Sequence, residues 1–236
     1  MIAMPHSISQ SHPVPIPVPL IWRDMIDIAL FEEMEKKYLN RSLGAFGRCA
    51  EFAITGARVL RLLTGKQDYL AVGGGQIVDC GAGEYILISP TRGERRKAQN
   101  LSDMKFYHCW IQREQFSPDR KPSMEYVDFT VRYDKATADI LKRPYQRETP
   151  LPYSWGSAEA YDLPFPPSLA DNPVLRGRQS GWLWRDPVCV QLLRKYEKEN
   201  EGYFAQMTSQ VLHNIADRIE SISKASALSA QCSLPL

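Results

Sequence analysis

The chain has 236 residues, enough for one domain with additions, and 44% hydrophobic with 24% charged residues is the balance of a globular protein with a sizeable core. Lys and Arg number 29 against 27 Asp and Glu, and a net charge of +2 gives no electrostatic ground for a nucleic-acid or membrane partner. No apolar run reaches the roughly 18 residues of a membrane span, and no period of about 20–50 residues marks a repeat array.

Residues 1–20 read as a Pro-rich extended arm, because Pro13, Pro15, Pro17 and Pro19 alternate with apolar residues and forbid a helix. The arm lacks a basic start followed by an apolar stretch. No secretory signal is read there, and a cytoplasmic location with reduced thiols is expected. An α+β core is predicted over 21–143. A Pro-rich wrapping segment follows over 144–185, with seven of the seventeen prolines between 144 and 173. C-terminal helices over 186–236 pack on the core, so the whole is a single domain.

Within the core, residues 21–38 carry Trp22, Met25, Ile26 and Ala29 at helical spacing. A second helix is predicted over 48–64, with Cys49, Phe52, Ala53, Gly56, Ala57, Leu60 and Leu63 on one stripe. That places Arg58 and Glu51 on the outward face. Strands are predicted at Tyr69–Val72, Gln76–Cys80, Tyr85–Ser89, Met104–Gln112 and Tyr126–Tyr133. Gly73-Gly74-Gly75 and Gly81-Ala82-Gly83 read as the turns between the first three, which favours antiparallel pairing. Two helices followed by a run of strands predict an α+β fold with a Cys-bearing helix packed on an antiparallel sheet. Asp186-Pro187 is a helix start, an N-cap acceptor followed by Pro at the first helical position. Gly202 breaks or kinks the helical segment that follows, and Phe204, Met207, Val211, Ile215, Ile219 and Ile222 form its apolar stripe. That stripe can dock on the core or self-associate with a second chain.

The chemistry starts at Cys49. It lies in the first turn of its helix, after Gly44 and Gly47, where unpaired N–H groups and the helix dipole favour a thiolate and can bind an oxyanion. A lone cysteine is more often a small buried hydrophobe, so it needs partners. His6 and His12 sit in the arm, and His213 falls on the solvent side of the last helix. His108 is therefore the only core histidine. It lies mid-strand between Phe106 and Trp110, on the same face. Asp128 interrupts the strongly β segment Val127–Val131, where a charge needs a reason other than guarding an edge. Between the two strands, 116–122 is a loop by composition. A hairpin centred on Pro118 sets His108 directly opposite Asp128. Nucleophile, base and orienter thus come from one helix and two adjacent strands, the constellation acyl chemistry uses.

Other features point elsewhere less strongly. A metal site from Cys49, Cys80, His108 and Cys109 fails because His108 and Cys109 alternate to opposite faces of one strand, so neither metal nor cofactor is expected. Gly73-Gly74-Gly75 lacks the Gly-Lys-Ser/Thr of a phosphate loop. Cys80 has no helix-start setting. Thr91–Lys97 is a basic loop, read as a solvated hairpin tip.

Gly47-Arg48-Cys49-Ala50-Glu51-Phe52-Ala53 resembles the nucleophile segment of the transglutaminase-like superfamily of cysteine enzymes, especially the form found in peptide N-glycanases. His108-Cys109-Trp110 is similar to their H-x-W strand, and Val127-Asp128-Phe129-Thr130 to their aspartate strand. The resemblance covers about residues 45–132. It implies a papain-like or transglutaminase-like core, with Cys49 as nucleophile, His108 as base and Asp128 as orienter. The activity implied is that of a thiol-dependent hydrolase or acyl transferase (protease, amidase or deamidase) acting on a peptide, protein or other amide substrate through a thioester. Trp22, Asn40 and Ser42 stand as candidates for a second oxyanion donor beside the Cys49 N–H. The competing reading is a non-catalytic protein-interaction module on the same fold.

Overall fold

The computed structural model describes residues 18–117, 120–175 and 181–232, and the arm up to residue 17 lies outside the described residues. Helix α1 spans Leu20–Lys37 and α2 spans Cys49–Thr64. A six-stranded antiparallel sheet follows, in the order β2-β1-β3-β4-β5, with β6 also paired to β1. Its strands are β1 (Tyr69–Gly81), β2 (Glu84–Ile88), β3 (His108–Ser117), β4 (Arg120–Asp128), β5 (Ser154–Ser157) and β6 (Leu183–Arg185). Short helices α3 (Arg92–Lys97) and α4 (Asp134–Ile140) lie between strands. The chain closes with α5 (Pro187–Glu199) and α6 (Glu201–Cys232). The fold is α+β, and no helix among the described residues is long and apolar enough to cross a membrane.

Helix α2 is the centre of the core. It packs on β1 and β3 on one side and on α1 and α6 on the other, so residues 50–57 are all buried. Gly56 is where the helix meets the sheet: a Cβ there would lie 2.8 Å from Ile111 and 2.9 Å from the Phe129 ring. Because α1 and α6 cover its outer side, Glu51 is only 3% exposed rather than facing water. Arg58 is also covered, and its guanidinium binds Glu197 and Glu201 of the C-terminal helices.

Several expectations are corrected by packing. Gly73-Gly74-Gly75 is not a turn but the middle of the thirteen-residue strand β1. A Cβ on Gly74 would lie 1.9 Å from the Trp184 carbonyl oxygen, and one on Gly75 would enter the Trp184 ring. The glycines serve close backbone approach by β6, not chain reversal. Gly81-Ala82-Gly83 does form the β1–β2 turn, all three residues at positive φ. Thr91–Lys97 is a helix, not a hairpin tip, because Thr91 and Glu94 make a reciprocal capping box. The wrapping segment contributes edge strand β5 and also β6. The predicted strand 126–133 ends at Asp128, and 131–140 turns helical. The last helical segment breaks at Asn200, the C-cap of α5, rather than at Gly202. Asp186 caps α5 as expected, accepting from the Val188 and Cys189 N–H groups. The α6 stripe docks on the core from Phe204 to Ile215, while Ile219 and Ile222 are 38% and 51% exposed.

The β3–β4 hairpin forms, but in a different register. Ile111 pairs with Val127, and Gln112 with Tyr126. Asp128 is therefore level with Trp110, two residues from the predicted pairing with His108. Between Gln115 and Ser117 the ladder is irregular, with three residues of β4 spanning two of β3. Pro122, which cannot donate to a ladder, lies in that stretch; Pro118 and Asp119 lie outside the described residues. A shift of two keeps every side chain on its predicted face.

Candidate active site

Strand β1 takes β3 as partner over Tyr69–Gly74 and β2 over Gln76–Gly81. Where one partner ends at His108 and the other at Ile88, a cleft of about 370 Å³ opens. Cys49 and the loop before it form one wall, residues 104–108 a second, and Thr130 with α4 a third. A larger open groove of about 810 Å³ between α1 and α6 shares no residue with it.

Cys49 is the first residue of α2, where backbone N–H groups have no partner within the helix. The preceding loop is held by Glu35 of α1, whose Oε1 accepts from the Ala45 N–H at 3.0 Å and from the Tyr133 hydroxyl at 2.8 Å. Gly44, at φ +52°, passes so close to this carboxylate that a Cβ would collide with it. The sequence reading placed Gly44 correctly before a helix start but had no means to see Glu35.

His108 opens β3 and is 7% exposed. Its Nε2–H donates to Asp128 Oδ2 at 2.6 Å, and its ring stacks on Trp110 at 6.2 Å between centroids. Asp128 closes β4 and is 3% exposed. Its other oxygen accepts from the Thr130 N–H at 2.8 Å and the Thr130 hydroxyl at 2.7 Å. With Nε2 engaged by Asp128, Nδ1 is the ring nitrogen left for the Cys49 thiol, which lines the same cleft and whose pKa His108 lowers. The structure thus brings Cys49, His108 and Asp128 together.

The charges favour an ion pair. A hydrogen bond from Cys109 is the largest influence on Cys49. Burial opposes it, and the hydrogen bond and charge of His108 then help bring the thiol down to about 5. Burial works to lower the pKa of His108, but the charge and hydrogen bond of Asp128, with those of Cys49, raise it to about 10. Burial alone would raise Asp128, yet His108 and Thr130 hold it below the usual carboxylate range. The pair Cys49 thiolate and His108 imidazolium is favoured between those two values.

Cys109, set aside because it alternates away from His108, proves to touch the site. Its thiol and its backbone N–H lie close enough to Cys49 to favour the Cys49 thiolate. Cys49 sits over the end of β3, so it meets the core face that carries Cys109 as well as the imidazole. Burial and the neighbouring Cys49 raise the Cys109 thiol well above its ordinary value, so it acts as a donor. Cys80 is buried and does not line the cleft. Among the described residues no three His, Cys, Asp or Glu side chains form a metal-binding group. Trp22, Asn40 and Ser42 do not line the cleft, whereas Gln76 and Asp134 do. Sequence reading missed both: Gln76 was one residue of a strand, and Asp134 follows a segment read as β. Comparison with known proteins adds no relative: no family model, no curated protein and no solved structure matches the chain.

Proposed function

We propose that the protein is a thiol-dependent hydrolase or acyl transferase acting on an amide, with Cys49 as nucleophile, His108 as base and Asp128 as orienter on a papain-like core. The observation that carries this reading is the buried relay from Asp128 through His108 Nε2, at 2.6 Å, to the Cys49 thiol at the start of α2. A pre-formed thiolate attacks the acyl carbon, and the carbonyl electrons move to oxygen, beside the N–H groups of the first turn of α2. The imidazolium gives its Nδ1 proton to the leaving amine as the C–N bond breaks, which leaves a thioester and a neutral imidazole. His108 then takes a proton from water, or from an acceptor amine, as that nucleophile attacks the thioester, and the Cys49 thiolate leaves. Throughout, Asp128 keeps the Nε2 proton in place and stabilises the charged imidazole.

The test follows iodoacetamide alkylation of Cys49, located by mass spectrometry, as a function of pH. The rate should rise through a midpoint near 5. In His108→Ala the midpoint should move up towards or beyond the free-thiol value of about 8.5. A wild-type midpoint already at about 8.5 would refute the reading and leave the interaction module in its place.

A further inference from the structure

Two acceptor side chains in the Cys49 cleft have no donor among the described residues. Gln76 on β1 is 6% exposed and lines the cleft, and its Oε1 has no hydrogen-bond partner among the described residues. Asp134, the first residue of α4, lines the same cleft, and α4 packs on β1. Its carboxylate has neither an ion pair nor a hydrogen bond among the described residues. Asp134 is half-buried, and the fully buried carboxylates nearby are matched: Asp128 by His108 and Thr130, Asp27 by Arg132.

We propose that Asp134 and Gln76 form a recognition subsite for a protonated amine, carried by the substrate close to the acyl carbon that Cys49 attacks. An ammonium has three N–H donors and no acceptor, which complements two acceptors without a donor. A carboxylate or an apolar group would leave both uncompensated, and for the Gln76 Oε1 at the cost of a buried unpaired polar group. The proposal rests on the Cys49 triad reading and adds to it a substrate class, amides bearing a nearby amine.

The surroundings leave this role open to Asp134. The charged and titratable groups facing it are Asp128 of β4, His108 of β3, the Cys80 thiol of β1 and the Tyr145 phenol. On its own helix Lys135 is bound to Asp139. Lys105 lines the cleft but is exposed and makes no ion pair with Asp134. Burial first, then the Asp128 charge, hold the Asp134 carboxyl up to about 7, with His108 working the other way. Near neutral pH Asp134 is therefore partly protonated. An arriving ammonium favours the carboxylate and releases that proton.

The test uses three methanethiosulfonates of similar length, carrying aminoethyl, hydroxyethyl or sulfonatoethyl groups. In each case the Cys49 thiolate displaces methanesulfinate and forms a mixed disulfide with the carried group. Rates at Cys49 of the full chain are divided by those with a free small thiol. At about pH 8.5 the aminoethyl reagent should outpace the hydroxyethyl one by about tenfold, the scale of one hydrogen bond to a charged group, with the sulfonatoethyl reagent slowest. This preference should shrink as the pH falls through 7 and Asp134 takes up its proton. In Asp134→Asn the pH-dependent part should vanish, and in Gln76→Leu the preference should fall by a few-fold. A wild-type preference that does not change through pH 7, or an equal preference in Asp134→Asn, overturns the subsite and leaves the triad standing. A Cys49 that reacts with the hydroxyethyl reagent at about pH 6 no faster than a free thiol overturns the triad reading and the subsite with it.

Discussion

Glu51 and Asp128 are both 3% exposed, and one lies two residues past Cys49 while the other is hydrogen-bonded to His108. Their surroundings differ in kind. Glu51 accepts from the hydroxyls of Tyr38, Tyr196 and Tyr203 and from the Arg48 guanidinium. Those donors come from the end of α1, from α5, from α6 and from the cap of α2, so one carboxylate ties four segments together. Burial first, and then Glu51, push the Tyr38 and Tyr203 phenols up, so they remain donors. Asp128 instead faces a single titratable group, His108, whose charge can change with its protonation, and accepts two further hydrogen bonds from Thr130. Burial of a carboxylate is therefore not a mark of function. What matters is whether its partner can gain and lose a proton beside an open cleft.

Asp128→Asn should break the comparison most sharply. The variant keeps the shape of the side chain, so thermal melting should change little. Turnover of an amide substrate should nevertheless fall by up to about 10⁴-fold, the scale for an orienting aspartate in a triad. Normal turnover in a normally melting variant would make Asp128 as purely structural as Glu51.

Glu51→Ala should do the reverse. It leaves three half-buried phenols and a guanidinium without their acceptor, and each such loss costs up to about 1–3 kcal/mol. Chemical denaturation should show a loss on the order of 3–5 kcal/mol, well below the simple sum because the side chains can relax. The iodoacetamide rate at Cys49 of the folded fraction should be unchanged. A stable variant with slowed alkylation would mean that the knot controls the site.

Asp134 is a third case, half-buried in the cleft and without a partner among the described residues, and its effect on stability is the smallest and has the opposite sign. Its folded pKa, about 7, lies above the unfolded carboxylate value. The folded state therefore holds the proton more tightly, and stability is lost as pH rises from about 4 towards 7. Asp134→Asn removes that penalty. It should raise the melting temperature at about pH 8, by an amount corresponding to at most a few kcal/mol, and make no difference at about pH 4. An equal gain at both values would show that the ionised carboxylate is not the cause.

Much of this arrangement was legible in the chain. The 3.6-residue stripe from Cys49 to Leu60 marked α2 within one residue of its start, and alternation put His108, Trp110 and Asp128 on one face. These are local regularities, set by backbone geometry and side-chain polarity over a few residues. The Asp186-Pro187 cap was legible for the same reason. The two-residue register error did no harm, because side-chain direction in a strand depends only on odd or even position.

Contacts between distant segments were not legible. Only the packed structure decided that Gly74 and Gly75 admit Trp184 rather than reverse the chain, since a glycine run has the same composition in either use. Glu51 looked solvent-facing because helical periodicity knows nothing of α5 and α6, which arrive about 140 residues later and cover it. Cys109 was assigned away from the site by a strand rule that holds within the sheet, but Cys49 sits over the strand end, where both faces are within reach. Asp134 and Gln76 carry no motif at all. Their shared cleft exists because α4 folds back on β1 after the chain turns at Asp128. The sequence by itself determined local features, the helix start at Cys49 and the strand face shared by His108 and Asp128, because backbone periodicity sets them. The tertiary structure decided which acids are saturated and which are left without a donor among the described residues, because those partners are far apart in the chain and meet only on packing.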